Sequence, residues 1–265
     1  MADALTLATM TRVIAVANQK GGVAKTTTVH TLGAALVEQG QRVLVVDLDP
    51  QACLTYSMGI EPDRLAASLH DVFLGRCHST DILTKVGDLH ILPANIDLAG
   101  TEVVLLSKTG REYVLKQALA PLLGSYELVL VDCPPSLGIL TINGLTAADE
   151  VIIPLQCETL SHRGVGQLLD TINDVRSFTN PELAVRGVIA TMFDGRTNLA
   201  RQVIGDVPLR YDLEVLDPPI PKSVKVAEAP QHGRTILEHA PTSKGAEAYR
   251  RLAALLREST GTRAT

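Results

Sequence analysis

The chain of 265 residues contains no Trp, three Phe and five Tyr, so aromatic side chains make up only 3% of it. That scarcity argues against a nucleic-acid surface built on stacked aromatic platforms. Long apolar runs are also missing: nothing approaches the ~18 residues of a membrane span. The first ten residues, MADALTLATM, lack a basic start and a long apolar stretch, so no signal peptide is expected. They read either as a short leader or as residues before a true start at Met10. Cys53, Cys77, Cys133 and Cys157 form no C-x-x-C pair, which points to reduced thiols in a cytosolic protein. The seven His are scattered, and neither a Ser–His–Asp set nor a metal-ligand cluster is in view.

Excess positive charge is lacking too, since 24 Lys and Arg face 29 Asp and Glu for a net charge of −5. The average hides an asymmetry. Residues 1–185 carry 12 basic against 20 acidic residues, a net of −8, whereas residues 186–265 carry 12 against 9, a net of +3. Any surface for an anionic polymer belongs in the last third. What the chain does have is 46% hydrophobic content, enough for a sizeable core in one large domain and too much for a disordered chain.

Short apolar runs alternate with segments of helical period. Strands are predicted at Val13–Ala17, Arg42–Val46, Leu89–Leu92, Leu128–Val131, Val151–Pro154 and Val185–Ala190. Helices are predicted near Lys25–Gln39, Glu112–Leu123, Leu137–Thr146, Gly164–Phe178 and Gly245–Glu258. Near-continuous apolar strands alternating with helices imply an α/β fold, a doubly wound and mostly parallel sheet with helices on both faces. The last helix carries Ala246, Tyr249, Leu252, Ala253 and Leu256 on one face and Arg250, Arg251 and Arg257 on the other. It reads as packing against the sheet or, alternatively, as lying on a membrane surface.

The strongest signal is Asn18-Gln-Lys-Gly-Gly-Val-Ala-Lys-Thr-Thr-Thr28, between the first strand and the first helix. Glycines there let backbone N–H groups curl around a phosphate at a helix N-terminus. Lys25 would reach the β- and γ-phosphates and the Thr26 hydroxyl would ligate Mg²⁺. Against G-x-x-x-x-G-K-[ST], Gln19 and Ala24 replace both glycines. A methyl at Ala24 is tolerable at negative φ and costly otherwise.

Lys20-Gly21-Gly22-Val23-Ala24-Lys25-Thr26-Thr27 resembles the deviant Walker A motif, K-G-G-x-G-K-[ST]-[ST], of the ParA/MinD ATPases. The resemblance implies a single P-loop ATPase domain over 12–260, flanked by a leader at 1–11 and a tail at 261–265. It implies that Lys20 crosses a nucleotide-sandwiched homodimer to the partner's phosphates. Asp47-Leu-Asp49-Pro-Gln51 resembles the family's D-x-D-P-Q, in which Asp49 orients the attacking water and Asp47 supports Mg²⁺ or the loop. Leu128-Val-Leu-Val-Asp132-Cys-Pro-Pro135 is similar to its Walker B strand, with Asp132 holding the Mg²⁺ water shell.

After residue 185 the likeness narrows to chromosomal, Soj-type ParA proteins. Thr191-Met-Phe-Asp-Gly-Arg-Thr-Asn198 and Ile220-Pro-Lys-Ser-Val-Lys-Val-Ala-Glu-Ala-Pro230 are similar to two of their segments. By that resemblance Pro221 and Ser223 border the adenine, and Arg196, Lys222 and Lys225, with Arg201 and Arg234, bind double-stranded DNA without sequence preference. The implied cofactors are ATP/ADP and Mg²⁺. The implied partner is a ParB-like protein that stimulates hydrolysis, in the cytoplasm on the nucleoid. A MinD-like cell-division ATPase on membrane is the alternative; the Ser/Thr-rich, weakly apolar end disfavours it.

Overall fold

The computed structural model describes residues 11–158 and 161–258. Its centre is one sheet of eight strands: β1 (Arg12–Val16), β2 (Val43–Asp47), β3 (Thr84–Val86), β4 (Leu89–Leu92), β5 (Leu128–Asp132), β6 (Glu150–Gln156), β7 (Ala184–Thr191) and β8 (Val215–Leu216). Their order is β3-β4-β2-β5-β1-β6-β7-β8. Every pairing is parallel except β3 with β4. The sheet is therefore doubly wound and mostly parallel, as the alternating pattern predicts.

The helices are α1 (Lys25–Glu38), α2 (Cys53–Ser57), α3 (Leu69–Leu74), α4 (Ser79–Ile82), α5 (Leu98–Leu105), α6 (Val114–Leu119), α7 (Ile139–Ala147), α8 (Ser161–Phe178), α9 (Asn198–Tyr211), α10 (Val224–Glu228), α11 (Ile236–His239) and α12 (Lys244–Glu258). Successive side chains of a strand point to opposite faces, so a strand covered on both sides must be apolar throughout. In β1, Ile14 and Val16 join Leu32 and Leu36 of α1 and Leu252 and Leu256 of α12. Val13 and Ala15 join the opposite core, with Leu140 of α7, Leu168 of α8 and Val203 of α9. Each fully buried Leu or Ile contributes about 2–3 kcal/mol of transfer free energy.

The two readings of the last helix are resolved here. In α12 the apolar residues Ala246, Tyr249, Leu252, Ala253 and Leu256 are all 0% exposed, and Tyr249 Oη lies 3.2 Å from Thr28 Oγ1 of α1. Its polar face pairs Arg250 with Glu38 at 2.6 Å. Among the described residues no helix is long and apolar enough to cross a membrane.

Thr11, placed by the sequence in the leader, accepts from Gly124 N and donates to the Tyr126 carbonyl, each at 2.7 Å. The rest of that leader and the tail 261–265 lie outside the described residues. Helix α9 is missing from the sequence expectations because Gly205 and Pro208 interrupt its apolar period. The helix predicted over 112–123 is shorter, Val114–Leu119, and preceded by a 3₁₀ turn over Arg111–Tyr113.

Candidate functional site

The strands β1, β2 and β5 end together. In register, Val16 of β1 and Asp47 of β2 both stand beside Asp132, the last residue of β5. In an open parallel sheet this carboxyl edge is where ligands bind, and the Gly-rich loop leaves β1 here to enter α1 at Lys25. The loop is held from outside the motif. Asn18, only 2% exposed, donates from Nδ2 to the Pro154 carbonyl at 2.7 Å and accepts from Lys20 N at 2.9 Å. Val23 is buried, and its carbonyl accepts from Thr191 Oγ1 at 3.1 Å. A Cβ on Gly164 of α8 would stand 3.0 Å from Asn18 Oδ1, so any larger residue there would press on the side chain that holds the loop.

Gly22 and Ala24 both adopt left-handed backbone, with φ of 72° and 67°. Ala24 therefore meets the costly branch of the expectation, about 1 kcal/mol or more relative to glycine. Gly21, Gly22, Ala24, Lys25, Thr26 and Thr27 line one wall of a cavity of about 770 Å³. Lys25 is 7% exposed and donates from Nζ to the Lys20 carbonyl at 3.1 Å. Burial pushes its pKa down, while Asp132, Cys133 and Asp49 push it back up.

The three carboxylates differ in what they do. Asp47 is fully buried. It accepts from Thr55 N at 2.8 Å and Thr55 Oγ1 at 2.7 Å, both on Oδ2, and from Asp49 N at 3.2 Å on Oδ1. These contacts tie Asp47 to Asp49 in the turn after β2 and to Thr55 of α2. Burial raises its carboxyl to about 6 against those hydrogen bonds. Asp49 lines the cavity and caps its own turn by accepting from Gln51 N at 2.9 Å. Asp132 accepts from Thr26 Oγ1 at 2.7 Å on Oδ2, and its Oδ1 is buried without a hydrogen-bond partner. Burial, then the neighbouring Asp47, holds its carboxyl well above the usual carboxylate range.

Those observations are what a divalent-cation site requires. A buried carboxylate oxygen with no donor is costly, and a cation or its bound water satisfies it. Asp132 and Thr26 are the residues that fit Mg²⁺. The described residues contain no closed ligand set of three or more His, Cys, Asp or Glu. The remaining oxygens would come from phosphate and water, as is usual for this ion.

The opposite wall of the cavity comes from the last third of the chain. Pro221, Lys222, Ser223 and Arg234 all line it. Lys222 N donates to the Phe193 carbonyl at 3.0 Å, which joins the segment after β8 to the turn after β7. Arg196 of that turn is 90% exposed and forms a two-point contact with Asp194, Nη2 to Oδ2 at 2.8 Å and Nε to Oδ1 at 2.9 Å. The Arg196 hydrogen bonds, and to a lesser degree Lys222, hold the Asp194 carboxyl down at about 2. Arg201 on α9 donates to Asn198 Oδ1 at 2.6 Å, and Lys225 is exposed on α10. Lys20, Val23, Asp47, Asp132, Arg196, Arg201 and Lys225 are not among the cavity-lining residues. Lys20 Nζ lies on Glu158 Oε2 at 3.1 Å and Gln156 Oε1 at 3.3 Å. Thr55 and Glu158 carry no signal in the sequence, because Thr55 meets Asp47 and Glu158 meets Lys20 only in the folded chain.

Comparison with known proteins agrees with this geometry. A family model described as "AAA domain" matches residues 11–185. The sporulation initiation inhibitor protein Soj of Bacillus subtilis is 45% identical over 246 residues, 92% of this chain and 97% of that protein. The chromosome partitioning protein ParA of Caulobacter vibrioides is 44% identical over 246 residues, covering 91% of this chain and 92% of its own. A Mycobacterium smegmatis structure named as cobyrinic acid a,c-diamide synthase, with bound ATP analogue and magnesium, is 56% identical. It has a TM-score of 0.86 and covers 96% of this chain and 97% of that one. The same protein is also known with ADP and magnesium. The cofactors are thus ATP or ADP with Mg²⁺, the activity is ATP hydrolysis, and the chain belongs to the ParA/Soj-type, deviant Walker A P-loop ATPases.

Proposed function

We propose that this ATPase is a partition switch. Mg-ATP joins two protomers face to face, the dimer binds double-stranded DNA without sequence preference, and hydrolysis stimulated by a ParB-like partner releases it. The observation that carries the reading is one cavity with two kinds of wall. The phosphate loop and Asp49 form one side, and Pro221, Lys222 and Ser223 from the basic third form the other. A nucleotide between those walls links the phosphate site to the segment that carries Lys222 and, through Phe193, Arg196.

Each role follows from position. Loop N–H groups and Lys25 hold the phosphates, Pro221 and Ser223 border the base, and Arg234 lines the same cavity. Thr26 and Asp132 hold Mg²⁺, which supplies charge neutralisation on the phosphates. Asp49 orients the attacking water, and Asp47 fixes Asp49 by accepting its N–H. Lys20 reaches the partner's phosphates. Arg196, Lys222 and Lys225, with Arg201, face DNA phosphates. A handful of such contacts per protomer is weak and steeply salt-dependent until a second protomer doubles the number.

The MinD-like alternative needs a free apolar helix face, and in α12 that face is buried. The name carried by the M. smegmatis structures points to amide formation. The basic wall beside the cavity and the partitioning relatives, aligned over more than nine-tenths of the chain, favour the switch. DNA retention with ATP, ADP and no nucleotide across a salt series tests it. Retention is expected with ATP alone and is lost as salt rises; equal retention in all three states overturns the reading.

A further inference from the structure

The loop contains two lysines with opposite fates. Lys25 is buried beside Asp132 and Asp49. Lys20 is tied at its backbone, by Asn18 on its N–H and Lys25 on its carbonyl, while its side chain turns to the end of β6. There its ammonium donates to Gln156 Oε1 at 3.3 Å and pairs with Glu158 Oε2 at 3.1 Å. Gln156 Nε2 in turn donates to Glu158 Oε1 at 2.6 Å. The three side chains close a triangle on the surface, with Lys20 36% and Glu158 57% exposed.

An ammonium has three donors and no acceptor. With two directed at Glu158 and Gln156 of its own chain, Lys20 keeps one N–H for a triphosphate while those contacts last and gains the other two only by leaving them. We propose that Glu158, oriented by Gln156, is an intrachain restraint on Lys20 that must open before two protomers close on ATP, so that Glu158 sets the protein concentration at which the switch turns on. The inference rests on the reading above that Lys20 acts across the dimer. Because the contact is exposed it is weak, which suits a restraint that nucleotide must overcome. Breaking one such ion pair changes an equilibrium by roughly 3-fold, and a two-fold symmetric dimer breaks two of them, giving roughly 10-fold.

The experiment is sedimentation of the full chain across a protein concentration series, with Mg²⁺ and a non-hydrolysable ATP analogue. Wild type, Glu158→Gln, Glu158→Ala, Lys20→Ala and the double variant Lys20→Ala/Glu158→Gln are compared. Both Glu158 variants are expected to dimerise at a roughly 10-fold lower concentration, and the gain is expected to vanish in the Lys20→Ala background. An unchanged or raised midpoint in both Glu158 variants overturns the proposal. So does a gain that persists without Lys20, because that is the effect of removing a negative charge rather than of freeing the lysine. Wild-type dimerisation by Lys20→Ala would instead overturn the cross-dimer role of Lys20 itself, and the proposal with it.

Discussion

Thr26 donates its hydroxyl hydrogen to Asp132 across 2.7 Å, tying the first turn of α1 to the end of β5, while the second oxygen of that carboxylate is buried without a partner. Under the proposed function the pair presents oxygen to Mg²⁺ beside the phosphate loop. Asp132→Asn keeps the shape and removes the charge. Mg²⁺ is expected to tighten ATP binding in the wild type and to have roughly 10- to 100-fold less effect in the variant, since a hydrogen bond to a charged group is worth about 1.5–3 kcal/mol. Titrations with and without Mg²⁺ measure both numbers; an unchanged Mg²⁺ effect counts against the assignment.

Ala24 sits at a φ of 67° in the loop, where glycine carries no Cβ penalty. Ala24→Gly is expected to stabilise the fold by about 1 kcal/mol, which raises Tm by roughly 2–4 °C in a chain of this size. ATP binding is expected to be retained in both forms. A melting curve that shifts downward would contradict the strain argument.

His30 lies on α1 at 7% exposure, with Nδ1 3.3 Å from Ser57 Oγ, and burial lowers its pKa from 6.5 to about 4. Between those two values the unfolded chain holds a proton that the native one refuses. Stability from this residue is therefore full above pH 6.5 and is lost as pH falls toward 4. The loss is about 2 kcal/mol at pH 5 and about 3 kcal/mol by pH 4. Asp47, with its carboxyl raised to about 6, works in the opposite direction but titrates in wild type and variant alike. Urea unfolding of wild type and His30→Gln at pH 7.5 and 5 isolates the histidine: the wild type is expected to lose about 2 kcal/mol more. Parallel pH profiles would rule it out.

Arg196 and Lys222 meet around Asp194, so the basic surface is partly neutralised in place. Arg196→Ala and Lys222→Ala are each expected to weaken ATP-dependent DNA retention uniformly across sequences and to reduce the salt slope by about one per protomer. ATP hydrolysis without DNA is expected to persist. Retention unchanged at moderate salt in both variants would remove these residues from the interface.

Much of this was legible in the chain. Val43–Asp47 and Leu128–Asp132 are apolar runs ending in Asp, and such runs place a carboxylate at a sheet edge through local chemistry alone. The loop announces itself in the same way, because glycines, Lys25 and Thr26 have to be contiguous to wrap a phosphate. Helix α9 was illegible because Gly205 and Pro208 break its period. The antiparallel β3 is only three residues long, Thr84–Val86, with no buried residue to betray it.

The sequence by itself determined the fold class, the phosphate loop and the identity of the acidic residues, since each depends on neighbours in the chain. Tertiary structure decided the rest. It gave Ala24 its positive φ, left Asp132 one unpartnered oxygen, joined Asp47 to Thr55, buried the apolar face of α12 and turned Lys20 toward Glu158, 138 positions away. Those outcomes depend on which strands lie side by side, and pairing across the sheet is a property of the packed whole that no local spacing records.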